Sequence, residues 1–212
     1  MTRSAPRAND LACVLLAAGG SRRFGRPKQL ARYRARPLLL HAIEAARGAL
    51  PRAPLIVVVG AEALRVRLAV RRTQCGARIA VNPRWQLGMA TSLRVGLAAA
   101  PHRARAALVV LVDQPRVDAG ALQRLIMAWR RRPGVPAAAR YAGHTGVPAV
   151  LPRRRWRALR ALRGDEGARR LLRDGRVTSV EMPEAALDVD TPADLPGYTL
   201  VAQLTQPVAP LA

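Results

Sequence analysis

The residues best suited to chemistry begin in "LLAAGGSRRFGRPKQL", residues 15–30. An apolar run stops at Gly19 and Gly20, and Arg22, Arg23, Arg26 and Lys28 follow around Gly25. Glycines let the backbone N–H groups approach an anion closely, and the cations add charge, so a triphosphate is the natural guest. On glycine content alone, an ordinary tight turn with solvated arginines would look similar. Lys28 sharpens the reading, because among 36 Lys and Arg residues it is the only lysine. A compact ammonium on a flexible stem can follow a moving phosphate, whereas arginine presents a rigid planar fork.

Two phosphate loops do not fit. The pattern G-x-x-x-x-G-K-[ST] fails because Arg26 and Pro27 separate Gly25 from Lys28, and Gln29 stands where a magnesium-binding hydroxyl is needed. The dinucleotide fingerprint G-x-G-x-x-G is absent, which argues against a nicotinamide dehydrogenase of that type.

The acidic side chains are few, 13 in all, and some stand at the ends of apolar runs. Asp113 follows "ALVVLV" and opens "DQP". Asp188 and Asp190 alternate in "LDVD", so they share a face where that segment is extended. Thr191 and Pro192 then read as a helix start, and one of these aspartates could be an N-terminal dipole partner without any chemistry. Magnesium takes one or two carboxylates plus phosphate oxygens, a need that Asp113 and Asp190 meet if their segments are neighbours. In "NPRWQLGMATSLRVGL" (82–97), Gly88 permits close approach and the Ser92 hydroxyl can bond a base edge. A plain helix-turn serine is the alternative there.

These groups need a scaffold that brings them together. Continuous apolar runs at 12–18, 54–60, 77–82 and 107–113 predict buried strands. Helical patterns at 37–50 (with Pro37 near the first turn), 61–72, 89–100 and 118–132 alternate with them. Such alternation predicts an α/β protein with a mostly parallel sheet covered on both faces, which is a three-layer sandwich. Ligands in these sheets bind beyond the carboxyl ends of the strands, which is where the glycine loop, Ser92 and Asp113 fall. From about 134 the pattern changes to two short strands round a glycine turn (134–152), a helix (153–175) and a strand (176–182). We expect one domain over 11–199, with 134–182 as an elaboration on the substrate side and tails at 1–10 and 200–212.

Composition narrows the class. Half the 212 residues are hydrophobic, but aromatics are only 3%, so the core must be Leu, Val and Ala. A net charge of +23 attracts polyanions without choosing among them, and biased residue usage accounts for most of the arginines. No zinc-finger spacing or RNA-binding aromatic motif supports a specific nucleic-acid partner. Cys13 and Cys75 form no disulfide framework or metal motif, and Cys13 reads as a buried hydrophobe. With no signal-peptide core and no run near the roughly 18 apolar residues of a membrane span, a cytoplasmic protein without membrane partners is expected.

"LAAGGSRRFGRPK" resembles the L-A-A-G-x-S-x-R-[MF]-G-x-x-K signature of the MobA-like nucleotidyltransferases, whose fold is that of the nucleotide-diphosphosugar transferases, with a Rossmann-like sheet. The 82–97 segment resembles the same family's N-x-x-W-x-x-G-x-x-x-S element, "DQP" and "DVDTP" its acidic elements, and "GHTGVP" and "LRGDEGARRLL" its acceptor-side segments. Val147 and Ala35 depart from the pattern. The resemblance spans about 11–198. It implies that Leu16, Ala17, Ala18, Gly19, Gly20 and Ser21 wrap a nucleoside triphosphate with Gly88 and Ser92. It implies Arg23 and Lys28 on the phosphates and Mg²⁺, or Mn²⁺ in its place, on Asp113 and Asp190. The catalytic set would be Arg23, Lys28 and Asp113.

Within the family, L-A-A-G accompanies CTP and L-A-G-G accompanies GTP. Ala18 therefore implies CMP transfer from CTP to the terminal phosphate of molybdopterin, with pyrophosphate leaving. A molybdoenzyme apoprotein or its maturation factor would be a further partner. The alternatives are GTP as donor, a sugar phosphate as acceptor, a nucleotide-binding paralogue without turnover, and a basic nucleic-acid-binding module.

Overall fold

The computed structural model describes residues 10–159, 172 and 176–195. The chain enters on strand β1 (Leu11–Ala17), whose seven residues are all buried. A loop with a 3₁₀ turn leads to the two-residue strands β2 (Arg32–Tyr33) and β3 (Arg36–Pro37), then helix α1 (Leu38–Ala49). Strand β4 (Leu55–Val59), helix α2 (Ala63–Arg72) and strand β5 (Arg78–Val81) follow. Helix α3 (Met89–Ala99), strand β6 (Ala106–Leu111) and helix α4 (Ala119–Arg131) complete the alternating part. Strands β7 (Ala137–Tyr141) and β8 (His144–Pro152), helix α5 (Trp156–Leu159) and strand β9 (Thr178–Glu181) make up the rest. The predicted helix over 153–175 begins as a 3₁₀ turn and α5, and its remainder, Arg169 included, lies largely outside the described residues.

Seven strands form one sheet in the order β5-β4-β1-β6-β8-β7-β9. Strand β8 is antiparallel to both its neighbours, and every other pairing is parallel. The antiparallel step follows from the turn at Ala142 and Gly143. Both residues have positive φ (46° and 76°), the geometry of a tight hairpin that reverses the chain at once.

Alternation along the buried strands divides the core into two layers. Leu11, Cys13 and Leu15 of β1 pack with residues of α1, α2 and α4, while Ala12, Val14 and Leu16 pack with α3. A Cβ on Gly96 of α3 would collide with Val14 and Val58, so glycine there lets the helix lie close on the sheet. Trp129 of α4 is fully buried and its indole N–H donates to the Pro133 carbonyl at 3.0 Å. Each large apolar side chain sealed in this way contributes about 1.5–3 kcal/mol. Asp118 caps α4, its carboxylate accepting from the Ala121 N–H at 2.8 Å. Among the described residues no helix is long and apolar enough to cross a membrane.

The parallel strands β1, β4 and β6 end together at Ala17, Val59 and Leu111. The loops that follow them therefore gather at one edge of the sheet. The late segment joins them there, because the Val189 N–H donates to the Asp113 carbonyl at 2.9 Å.

Candidate functional site

The glycine loop is braced from several sides. Ser21 has φ 51°, its carbonyl accepts from the N–H groups of Phe24 and Gly25, and its hydroxyl accepts from the Lys28 N–H at 3.0 Å. Phe24 is buried and pins the middle of the loop. Gln29, which looked misplaced for a magnesium ligand, is 1% exposed and donates to the carbonyls of Ala17 and Gly19 at 3.1 and 2.9 Å. It is a loop brace. A Cβ on Gly20 would come within 2.5 Å of the Trp85 ring, and one on Gly60 within 2.6 Å of the Trp85 Cβ. Trp85 is thus wedged between the two glycine turns. Around Gly19, by contrast, a Cβ would meet nothing within 4 Å, so that stretch of backbone stays open to a ligand.

Facing the loop are three carboxylates. Asp113, Asp188 and Asp190 each offer an oxygen within 4.8 Å of the others. Lys28 lies between two of them, with its Nζ 2.7 Å from Asp113 Oδ2 and 2.9 Å from Asp190 Oδ1. Arg23 reaches Asp190 Oδ2 at 2.6 Å from the solvent side. The two cations read as phosphate ligands are here neutralising the carboxylates read as metal ligands. Burial opposes the Lys28 charge, but Asp113 and Asp190 outweigh it and raise the ammonium above the usual lysine value. The Asp188 carboxyl is pushed up to about 7, first by desolvation and then by the negative charge of Asp113, with Lys28 pulling the other way. Asp194 holds this segment in shape by accepting from the N–H groups of Asp190 and Thr191 at 3.0 and 2.7 Å, and those bonds keep its own carboxyl low.

The donor set suits a hard divalent cation, since it consists of carboxylate oxygens at short mutual distance. One further observation fits: Asp113 Oδ1 is buried and has no hydrogen-bond partner among the described residues. Asp113, Asp188 and Asp190 are the residues that could hold such an ion.

Loop, carboxylates and the 85–92 segment enclose a cavity of about 450 Å³. Leu16, Ala18, Gly19, Gly20, Ser21, Arg23, Lys28, Gly88, Ser92, Asp113 and Asp190 all line it. Ala17 does not. It is 1% exposed within β1 and supports the loop from beneath through its carbonyl. The sequence reading did not assign Asp188, Trp85, Gln86 or Met89 to this cavity. For Asp188 the signal was present in the "LDVD" alternation, and Trp85 stood inside a motif without a stated job. A second hollow of about 530 Å³ between α1 and α2 is lined by Leu30, Leu39, Leu40 and Leu68, with Arg65 and Arg72 as its charged residues and no carboxylate.

Residues 13–181 match the family model described as MobA-like NTP transferase domain. A curated relative from Paenarthrobacter nicotinovorans, named nicotine blue oxidoreductase, is 37% identical over 177 residues, covering 77% of this chain and 83% of that protein. The crystal structure of Rv0371c from Mycobacterium tuberculosis H37Rv superposes with a TM-score of 0.76 at 34% identity, covering 89% of this chain and 96% of the other. A structure of Rv0371c described as a complex with manganese gives a TM-score of 0.71 at 33% identity, with the same coverage.

Proposed function

Because the chain belongs to the MobA-like NTP transferase family, we propose that it transfers a nucleotidyl group, CMP from CTP, to the terminal phosphate of molybdopterin. The observation that carries this reading is the convergence on one cavity of an open glycine backbone, three cations and three carboxylates. The acceptor phosphate attacks the α-phosphorus in line and pyrophosphate departs. Such a transfer needs positioning and charge neutralisation more than covalent chemistry.

Each part of the cavity has a task. The backbone N–H groups of Gly19 to Ser21 cradle the phosphates. Arg23 and Lys28 exchange their carboxylate partners for phosphate oxygens as the triphosphate enters, and Lys28 follows the leaving pyrophosphate. Asp113 and Asp190, with Asp188 beside them, would hold Mg²⁺ or Mn²⁺. Such an ion would supply charge neutralisation for the phosphoryl transfer. Ala18 narrows the base end, and Ser92 contacts the base. Trp85 keeps the loop from collapsing into the cavity.

The test is pyrophosphate release from Mg-CTP with molybdopterin, compared with CTP, GTP, ATP and UTP in thermal-shift assays with and without Mg²⁺. Stabilisation by CTP supports the reading, and a preference for GTP removes the base assignment. The relative named as an oxidoreductase favours one second reading, in which the same loop holds a nucleotide-containing electron carrier. Stabilisation by a reduced nicotinamide dinucleotide, with no pyrophosphate released from any triphosphate, would favour that reading.

A further inference from the structure

Asn82 is 2% exposed and lies beyond the carboxyl end of β5, outside the cavity lining. Its hydrogen bonds settle which way its amide points. The Arg84 backbone N–H can only donate, and it lies 3.0 Å from Asn82 Oδ1. Asn82 Nδ2 therefore faces the other way, donating to Thr91 Oγ1 at 2.8 Å and to Ser92 Oγ at 2.9 Å. Both amide protons are used, so both hydroxyls are acceptors toward Asn82. The Thr91 hydroxyl proton is taken by the carbonyls of Arg84 and Gly88, 3.0 and 2.8 Å away. Among the described residues, Ser92 is the member of the trio whose proton has no such carbonyl, and Ser92 lines the cavity.

We propose that Asn82 is a specificity-positioning residue: it biases the Ser92 hydroxyl toward donating into the cavity, which favours, between the pyrimidines, the one whose ring N3 is an unprotonated acceptor. This rests on the reading of the cavity as a nucleotide site. Cytosine meets the requirement at N3, an unprotonated ring nitrogen. Uracil carries N3–H and guanine carries N1–H at the corresponding place, and both meet a donor with a donor. The cost of such a mismatch is that of a buried donor left unpaired. Serine alone would accept from or donate to any base, since its hydroxyl rotates. With Asn82 donating to one of its two lone pairs, the hydroxyl is fully satisfied only by a base that takes its proton, and a base that donates to the other lone pair leaves that proton unpaired.

The test measures binding of CTP, UTP and 3-deaza-CTP, in which N3 is replaced by C–H, to the full chain in the presence of Mg²⁺. The wild-type protein is expected to bind CTP roughly tenfold or more tightly than either of the others. Asn82→Asp offers only acceptors, draws the Ser92 proton to itself and turns lone pairs toward the base. Its CTP-to-UTP affinity ratio should fall roughly tenfold or more, whatever the added charge does to triphosphate binding in general. Ser92→Ala should lose the preference for CTP over 3-deaza-CTP, and adding Asn82→Asp to it should move the ratio no further. Equal wild-type affinity for CTP and 3-deaza-CTP overturns the proposal even if Asn82→Asp does not fold. An unchanged ratio in a folded Asn82→Asp protein overturns it as well. Failure of the wild type to bind any triphosphate overturns instead the nucleotide reading on which it rests.

Discussion

Replacing Lys28 with methionine should weaken the fold and tighten metal binding at the same time. The ammonium lies 2.7 and 2.9 Å from Asp113 and Asp190, and Lys28 is 8% exposed. Methionine keeps most of the stem and removes the charge, leaving three carboxylates with oxygens within 4.8 Å of one another. At an effective dielectric constant near 20, each like-charge pair at that distance repels by about 3.5 kcal/mol. Removing one partner of a buried pair costs about 3–5 kcal/mol, and the partial exposure of Asp190 argues for the lower end. In a protein of this size, about 3 kcal/mol lowers Tm by roughly 6–12 °C. A divalent ion no longer has to displace the ammonium, so the same 3 kcal/mol becomes roughly 100-fold tighter Mn²⁺ binding. Calorimetric titration with Mn²⁺ and thermal unfolding with and without it measure both effects. Turnover should be lost even as metal affinity rises. Unchanged or weaker Mn²⁺ binding, or a Tm loss that Mn²⁺ does not restore, would refute the competition between Lys28 and the ion.

Other perturbations separate the parts of the site. Asp188→Asn should stabilise the metal-free protein: a folded carboxyl near 7 against a usual value near 3.8 means that wild-type stability falls as pH rises between those values. The gain should be absent below about pH 3, grow through that window and level off above it, while Mn²⁺ binding weakens; thermal unfolding across pH with and without Mn²⁺ shows both. Gly20→Ala drives a methyl into Trp85 and should cost about 1–3 kcal/mol in denaturant unfolding, whereas Gly19→Ala meets nothing in the protein and should keep Tm but lose triphosphate binding. Lys28→Arg keeps the charge and should keep the fold, yet lose most turnover in a pyrophosphate-release assay. A thiol reagent should label the half-buried Cys75 in the native protein and reach Cys13, whose thiol burial pushes up to about 12, only on unfolding.

The alternating architecture is legible because runs such as "ALVVLV" have no polar position with which to face water, so they must be central strands covered on both sides. The glycine loop and "DQP" are legible for a related reason, since a buried strand has to end in a turn that carries whatever chemistry the sheet edge presents. The direction of β8 is harder to read, because "GVPAVLP" carries no mark of which neighbour it will join. The pairing of Lys28 with Asp190 spans 162 residues, and no local pattern encodes a contact that only the fold creates. The roles of Trp85 and Gln29 are set by the fold for the same reason. One is defined by two glycines that make room for it, and the other by carbonyls that lie close only after the loop has closed. The family signature supplied Arg23, Lys28, Asp113 and Asp190, but it gave no indication that they pair with one another.

The most direct test of the central claim is a pyrophosphate-release assay with Mg-CTP and molybdopterin, run side by side on the wild-type protein and Asp113→Asn. The account predicts release that requires both substrates, a molybdopterin cytosine dinucleotide as the other product, and near-complete loss in the variant. Release of no pyrophosphate by the folded wild-type protein from any triphosphate, or equal release by Asp113→Asn, would contradict it.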